Sequence, residues 1–149
     1  MIRIDMITIE KMSREHLSEV ASIEEMSFSL PWSLESLELM LTEQASALVA
    51  LEDGRVLGYV GMMCVLDEGQ IINVAVHPDA RRRGVGRSLM QAAEAYAKER
   101  GIVFLSLEVR ESNIAARSLY SSLGWEEQGI RKGFYSHPVE NACVMTKSI

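Results

Sequence analysis

Apolar residues recur along this chain with two periods, and the switches between them predict its elements. Residues 6–12 alternate and predict a strand, and Ser13 follows as an N-cap. Leu17, Val20, Ala21, Ile23 and Met26 then fall at helical spacing and predict a helix over 14–28. That helix must stop near Leu30, because Pro31 disfavours helix in the residue before it. Ser33 opens a short second helix, with Leu34, Leu37, Met40 and Leu41 on one stripe. Three strands are expected next, over 46–52, 56–66 and 70–76. Asp53-Gly54 and Asp67-Glu68-Gly69 read as the turns between them, which implies an antiparallel meander. Val85, Leu89, Ala92, Ala93, Tyr96 and Ala97 share one face of a helix over 84–100, and Gly101 ends it. A strand over 104–109 follows without a hairpin, so the connection is a parallel crossover. Asn113 caps a further helix, with Ala116, Leu119, Tyr120 and Leu123 on its core stripe, and Gly124 ends it. Residues 125–134 and 139–147 read as a closing pair of strands.

The order is strand, helix, helix, three strands, helix, strand, helix, two strands. That is an α+β fold: a mixed, mostly antiparallel sheet of about seven strands flanked by about four helices. The 149 residues contain no repeat, low-complexity tract or linker, so one domain spanning 1–149 is expected.

Composition narrows the function classes. Apolar residues make up 48% and charged residues 24%, which is globular rather than disordered. The formal net charge is −6. Nucleic-acid binding calls for a basic domain, so no nucleic-acid partner is expected, and an acidic surface suits a cationic substrate. No run approaches the ~18 apolar residues of a membrane span, so no membrane partner is expected. The N-terminus lacks the layout of a signal peptide, and a cytoplasmic location is the expectation. Cys64 and Cys143 lie far apart in apolar runs and read as buried thiols rather than a zinc site or disulfide framework. His16, His77 and His137 do not cluster with acids or cysteines, so no metal is expected. The nine methionines are scattered and read as core filler.

The stretch V-A-V-H-P-D-A-R-R-R-G-V-G-R, from Val74 to Arg87, carries the first candidate chemistry. A strand ends, a basic loop follows, and a helix starts. The first N–H groups of a helix have no intrahelical partner, the dipole adds partial positive charge there, and phosphates bind such termini. The loop is not a Walker loop, since no Lys-Ser or Lys-Thr follows. It is not a dinucleotide fingerprint either, since Leu89 stands where the third glycine is required. What fits is R-x-x-G-x-G, from Arg81 to Gly86. Read by itself, a solvated basic turn before an ordinary helix fits as well.

R-x-x-G-x-G resembles the pyrophosphate-binding loop of the GNAT superfamily of N-acetyltransferases. The run from Asn113 through Ala116, Leu119 and Tyr120 to Gly124-Trp125 resembles that superfamily's N-x-x-A-x-x-L-Y-x-x-x-G-F motif, with Trp125 in place of Phe. Three further runs resemble the bacterial ribosomal-protein alanine N-acetyltransferases: Pro31-Trp32-Ser33, Leu107-Glu108-Val109-Arg110, and R-K-G-F-Y from Arg131 to Tyr135. The last departs from R-R-x-Y-Y at Lys132 and Phe134. Archaeal peptide N-terminal acetyltransferases share several of these features.

The resemblance implies acetyl transfer from acetyl-CoA to an amine, directly in a ternary complex, with the N-terminal alanine of a ribosomal protein as the leading acceptor. It implies that Val74, Ala75 and Val76 offer backbone groups to the thioester and pantetheine beside a strand bulge. Arg82, Arg83, Gly84, Val85, Gly86 and Arg87 would hold the pyrophosphate, and Asn113 the pantetheine arm. Asn113 as a plain N-cap is compatible with this. Glu108 would act as base, since an N-terminal amine with a pKa of about 8 must lose a proton. Read from periodicity, Glu108 could equally pair with Arg110 or face solvent. Tyr120 would protonate the departing thiolate, its alternative being an ordinary core tyrosine. Trp32 and Tyr135 are the acceptor-side candidates, and Trp32 could simply pack. Acetylation of a small amine such as an antibiotic, polyamine or amino acid, or a non-catalytic acyl-CoA-binding module, are the competing functions.

Overall fold

The computed structural model describes residues 7–42 and 45–149. Within them, seven strands form one sheet in the order β1-β2-β3-β4-β5-β7-β6. The strands are β1 (Thr8–Lys11), β2 (Ala45–Glu52), β3 (Arg55–Val65), β4 (Glu68–Val76), β5 (Phe104–Arg110), β6 (Glu126–Tyr135) and β7 (Glu140–Ser148). The helices are α1 (Leu17–Ser27), α2 (Leu34–Glu38), α3 (Val85–Glu99) and α4 (Ile114–Ser122). The α+β fold with a mixed, mostly antiparallel sheet is as the residue pattern implies. Met6, part of the strand expected over 6–12, lies outside the described residues.

Period-2 alternation assigns the two faces of the central strands to two cores. Ala47, Val49 and Leu51 of β2 pack with Val56, Tyr59 and Ala75 under Leu17, Val20 and Ile23 of α1. Leu48 and Ala50 join Leu105, Leu107 and Val109 of β5 on the other side, under Val85, Leu89, Met90, Ala93 and Ala97 of α3. β2 is buried on both faces for this reason. Each fully buried Leu or Val contributes about 1.5–3 kcal/mol. No described helix is long and apolar enough to cross a membrane.

Several local expectations are corrected. The helix expected over 14–28 is a 3-10 turn at Arg14–His16 followed by α1. The helix after Ser33 is only five residues long, continued by a 3-10 turn at Leu39–Leu41, and Leu34 is left exposed. The turn between β3 and β4 is Leu66-Asp67, with Leu66 at φ 57°, and not Asp67-Glu68-Gly69. Gly69 lies inside β4 for a packing reason: a Cβ there would stand 2.7 Å from Leu105 Cδ2. Cys143 is buried, but Cys64 is only half-buried near the end of β3.

Two irregularities prepare the site. Between β3 and β4 the register steps from Gly61↔Asn73 to Met62↔Ile71, so Ile72 is an extra residue on β4. Such a bulge bends and twists its strand. The parallel pairing of β4 with β5 covers only Glu68, Gln70 and the residue between them, against Phe104 to Ser106. Beyond Gln70 the two strands part.

Candidate active site

A cleft of about 590 Å³ fills the parting between β4 and β5. It brings together Trp32, Val74, Glu108, Asn113, Tyr120 and Tyr135, six of the residues singled out in the sequence. Ala75 and Val76 do not line it. The Ala75 side chain is buried toward α1, and Val76 packs against the α3 side.

The backbone of β4 still serves the gap. His77 donates its N–H to Leu57 O at 2.7 Å, toward β3. Successive residues of a strand direct their backbone groups to opposite edges. The N–H groups of Val76 and Val74 therefore point away from β3, into the gap left by β5.

Below the gap lies the basic loop. Arg82 adopts φ 66°, and Gly84, the N-cap of α3, adopts φ 76° with open space where a Cβ would stand. These left-handed residues turn the chain into α3, whose first N–H groups have no partner within the helix. The arginines differ in use. Arg83 forms a two-pronged ion pair with Glu52, Nη1 lying 3.2 Å from Oε1, and ties the loop to the end of β2. Arg87 Nη2 donates to Ser122 Oγ at 2.9 Å and ties α3 to α4. Both guanidinium groups are thus held by protein partners. Gly86 allows the approach of α4, its Cβ position being 3.4 Å from Leu119 Cδ2.

Glu108 follows from the alternation of β5. Leu105, Leu107 and Val109 face the core, so Ser106, Glu108 and Arg110 face the cleft side. Its carboxylate is half-buried and held from two directions. Oε2 accepts from Gln70 Nε2 at 2.9 Å, and Oε1 accepts from Arg131 Nη1 at 3.0 Å. The alternative pairing with Arg110 is not formed. Arg110 instead lies 3.1 Å from Glu140 Oε1, donates to the carbonyls of Ser136 and Pro138, and covers the Tyr135 ring at 4.5 Å. That clamp fixes Tyr135 at the cleft wall. Ser29 Oγ donates to His137 O, bridging the loop after α1 to the turn before β7.

Tyr120 is buried on α4, and burial, with a contribution from Tyr135, pushes its phenol up to about 12. It is therefore protonated across the physiological range and able to donate. Tyr135 is likewise pushed up to about 12, by burial first and then by the Glu108 charge. Asn113, which lines the cleft, caps α4, its Oδ1 accepting from Ala116 N at 3.2 Å. Among the described residues, no group of three or more His, Cys, Asp or Glu could hold a metal ion.

Sequence reasoning missed the polar residues under this wall. Glu24 is 0% exposed. Its Oε2 accepts from the Trp32 backbone N–H at 3.0 Å, and its Oε1 accepts from Tyr59 OH and Asn73 Nδ2. A signal for it existed: Leu17, Val20 and Glu24 fall at i, i+3 and i+7, so a carboxylate sits on the apolar stripe of α1.

A sheet parted at its parallel pair, a glycine-turned helix start below the gap, and a carboxylate and a tyrosine lining it define the architecture of an N-acetyltransferase. The sequence model of the acetyltransferase (GNAT) family matches residues 17–125, and the chain belongs to that family. It is 37% identical over 146 residues to the ribosomal protein bS18-alanine N-acetyltransferase of Salmonella typhimurium, covering 97% of this chain and 99% of that one. The crystal structure of the ribosomal-protein-S18-alanine N-acetyltransferase from Escherichia coli superposes with a TM-score of 0.90 at 34% identity, over 97% of this chain and 94% of that one. Ard1 from Thermoplasma volcanium superposes with a TM-score of 0.89 at 27% identity, over 96% of this chain and 97% of that one.

Proposed function

We propose that residues 1–149 act as one N-acetyltransferase domain that moves the acetyl group of acetyl-CoA to the α-amine of a protein N-terminus. The leading acceptor is the N-terminal alanine of a small-subunit ribosomal protein, as the names of the bS18-alanine relatives suggest. The observation that carries the reading is the Glu108 carboxylate, held by Gln70 and Arg131 in a cleft that Tyr120 also lines.

The geometry supports the following division of labour. The pantetheine arm lies in the gap past Gln70, where β4 has no strand partner, and Asn113 bonds it. The helix start at Val85, Gly86 and Arg87 and the turned residues Arg82 and Gly84 take the pyrophosphate through N–H groups. Arg83 stiffens the loop from behind. The N–H groups of Val74 and Val76 face the thioester and stabilise the oxyanion as it forms.

The neutral form of the acceptor amine attacks the thioester carbon, and Glu108 takes the proton that its nitrogen sheds, directly or through water. The C–N bond forms, the C–S bond breaks, and Tyr120 gives its proton to the sulfur. A thiol of ordinary pKa, about 8.5, gains from that proton as it leaves. Trp32 and Tyr135 form the acceptor's walls. No cysteine is placed for a covalent intermediate, since Cys143 is buried and Cys64 lies outside the cleft lining.

The test is thiol release from acetyl-CoA with an N-terminal alanine peptide, compared with spermidine and with no acceptor. Peptide-dependent release well above both supports the reading, and preference for spermidine replaces it with small-amine acetylation.

A further inference from the structure

Glu24 is the most deeply buried carboxylate in the described chain, and the transfer chemistry does not use it. It is fully inaccessible and stands on α1 among Val20, Ile23 and Leu37. Burying a carboxylate costs several kcal/mol unless its oxygens are satisfied. Here both are. Its partners come from three places: the backbone of Trp32 in the loop after α1, Tyr59 on β3, and Asn73 beside the extra residue of β4. Trp32 and Asn73 both line the cleft, on different elements. The one carboxylate therefore joins two walls of the cleft through its base.

The two attachments are unequal. Asn73 Nδ2 also reaches Tyr59 OH at 3.1 Å, so the β4 wall keeps a tie without Glu24. The Trp32 N–H donates to Glu24 Oε2. It is followed by Ser33, whose hydroxyl caps α2 by accepting from Ser36 N at 3.2 Å, and it is preceded by Pro31, which has no N–H to offer. The polypeptide between α1 and α2 is thus anchored to the protein interior at Trp32.

We infer that Glu24 is a positioning residue for the acceptor: it anchors the loop carrying Trp32 against the β4 bulge and so fixes the acceptor side of the cleft. The inference rests on the reading of this cleft as the place where an amine acceptor binds. It assigns Glu24 no contact with either substrate.

The test compares three variants with the wild type. Glu24→Leu keeps the volume and removes both acceptor oxygens. Glu24→Gln keeps one oxygen for the Trp32 N–H, while its NH2 faces Tyr59, whose hydroxyl can rotate to accept, and Asn73, whose amide can flip to present its oxygen. Tyr59→Phe disturbs the same buried cluster without touching the loop. Two quantities are read: the acceptor KM beside the acetyl-CoA KM, and amide hydrogen exchange over residues 28–34. Glu24→Leu is expected to raise the acceptor KM on the order of tenfold, the equivalent of one charged hydrogen bond, and to leave the acetyl-CoA KM within twofold. It also speeds exchange over 28–34 relative to α3. Glu24→Gln restores both quantities to near wild type. Tyr59→Phe lowers Tm but leaves the acceptor KM within twofold.

If Glu24→Leu lowers Tm with unchanged exchange over 28–34 and unchanged acceptor KM, Glu24 is only structural and the inference is overturned. Equal effects of Glu24→Leu and Tyr59→Phe on acceptor KM also overturn it. Should Glu24→Leu be insoluble, Glu24→Asp, which withdraws the carboxylate by one methylene, is read in the same two ways. The exchange measurement needs no acceptor. A wild type inactive on the alanine peptide therefore defeats the proposed acceptor, while the exchange result still decides the role of Glu24.

Discussion

Arg131 Nη1 lies 3.0 Å from Glu108 Oε1, reaching from β6 over the intervening β7 to a carboxylate on β5. Gln70 holds the other oxygen from β4. The base candidate is thus oriented by the two strands that flank its own strand and its neighbour. Glu108→Gln is expected to lower kcat about 10²-fold or more, the usual contribution of a positioned base. Coenzyme A affinity and Tm should remain at wild-type values. Steady-state kinetics and calorimetric titration with coenzyme A check this, and turnover within threefold of wild type removes Glu108 from the mechanism. Arg131 is 58% exposed at its side chain, so Arg131→Gln should change stability by no more than about 1 kcal/mol.

Tyr120 has a pH signature. Burial holds its phenol near 12, and the donating form is the protonated one. The kcat/KM for the peptide should rise as the acceptor amine, pKa about 8, loses its proton. It should then stay level to about pH 10, because Tyr120 has not begun to ionise. Tyr120→Phe should lower kcat about 10²-fold at every pH. A wild-type profile that descends near pH 9 would contradict the assignment of this tyrosine as the acid.

Glu24 makes a linkage prediction about stability. Burial raises its carboxyl pKa above the ordinary value, although hydrogen bonds from Tyr59 and Trp32 oppose the shift. A group with a raised folded pKa contributes stability that is fully present below the unfolded value, about 4.3, and lost as pH rises through the folded value. Glutamine carries no such proton. The Tm of Glu24→Gln relative to wild type should therefore climb between pH 4.5 and pH 7. A pH-independent difference would show that burial does not govern this carboxyl.

Gly58 tests the β4 wall mechanically. A Cβ at Gly58 would lie 2.7 Å from Ala75 O, backbone that cannot swing aside. Gly58→Ala should cost about 1–3 kcal/mol as overpacking. It should also weaken coenzyme A binding, because Ala75 sits between Val74 and Val76. Gly129→Ala, where nothing lies within 4 Å, should do neither. Chemical denaturation and coenzyme A titration of the pair separate the two cases.

The sequence was most legible where one element answers to one period. The stripe of α3, the alternation of β5 that points Glu108 at the cleft, and the caps at Ser33 and Asn113 are local features. The cleft residues Trp32, Tyr120 and Tyr135 were reached through motif resemblance, not periodicity. What stayed hidden depends on contacts between distant residues. Gly69 read as a turn glycine, because the reason for it is Leu105 on another strand. For Glu108 the alternation offered only Arg110, its neighbour on the same face, or solvent, whereas Arg110 is drawn to Glu140 and Arg131 arrives from β6. The partner of the Arg83 guanidinium, Glu52 at the end of β2, could not be read from the loop itself. Glu24 was readable as a misfit on an apolar stripe, but its partners on β3 and β4 were not.

The most direct measurement is the position of the acetyl group on a peptide that begins with alanine and carries an internal lysine. Incubate the peptide with acetyl-CoA and enzyme, and map the product by tandem mass spectrometry. The expected result is one acetyl group on the alanine α-amine, absent with Glu108→Gln over the same period. Acetyl on the lysine ε-amine, or an unmodified peptide beside acetylated spermidine, would contradict N-terminal acetyl transfer by this cleft.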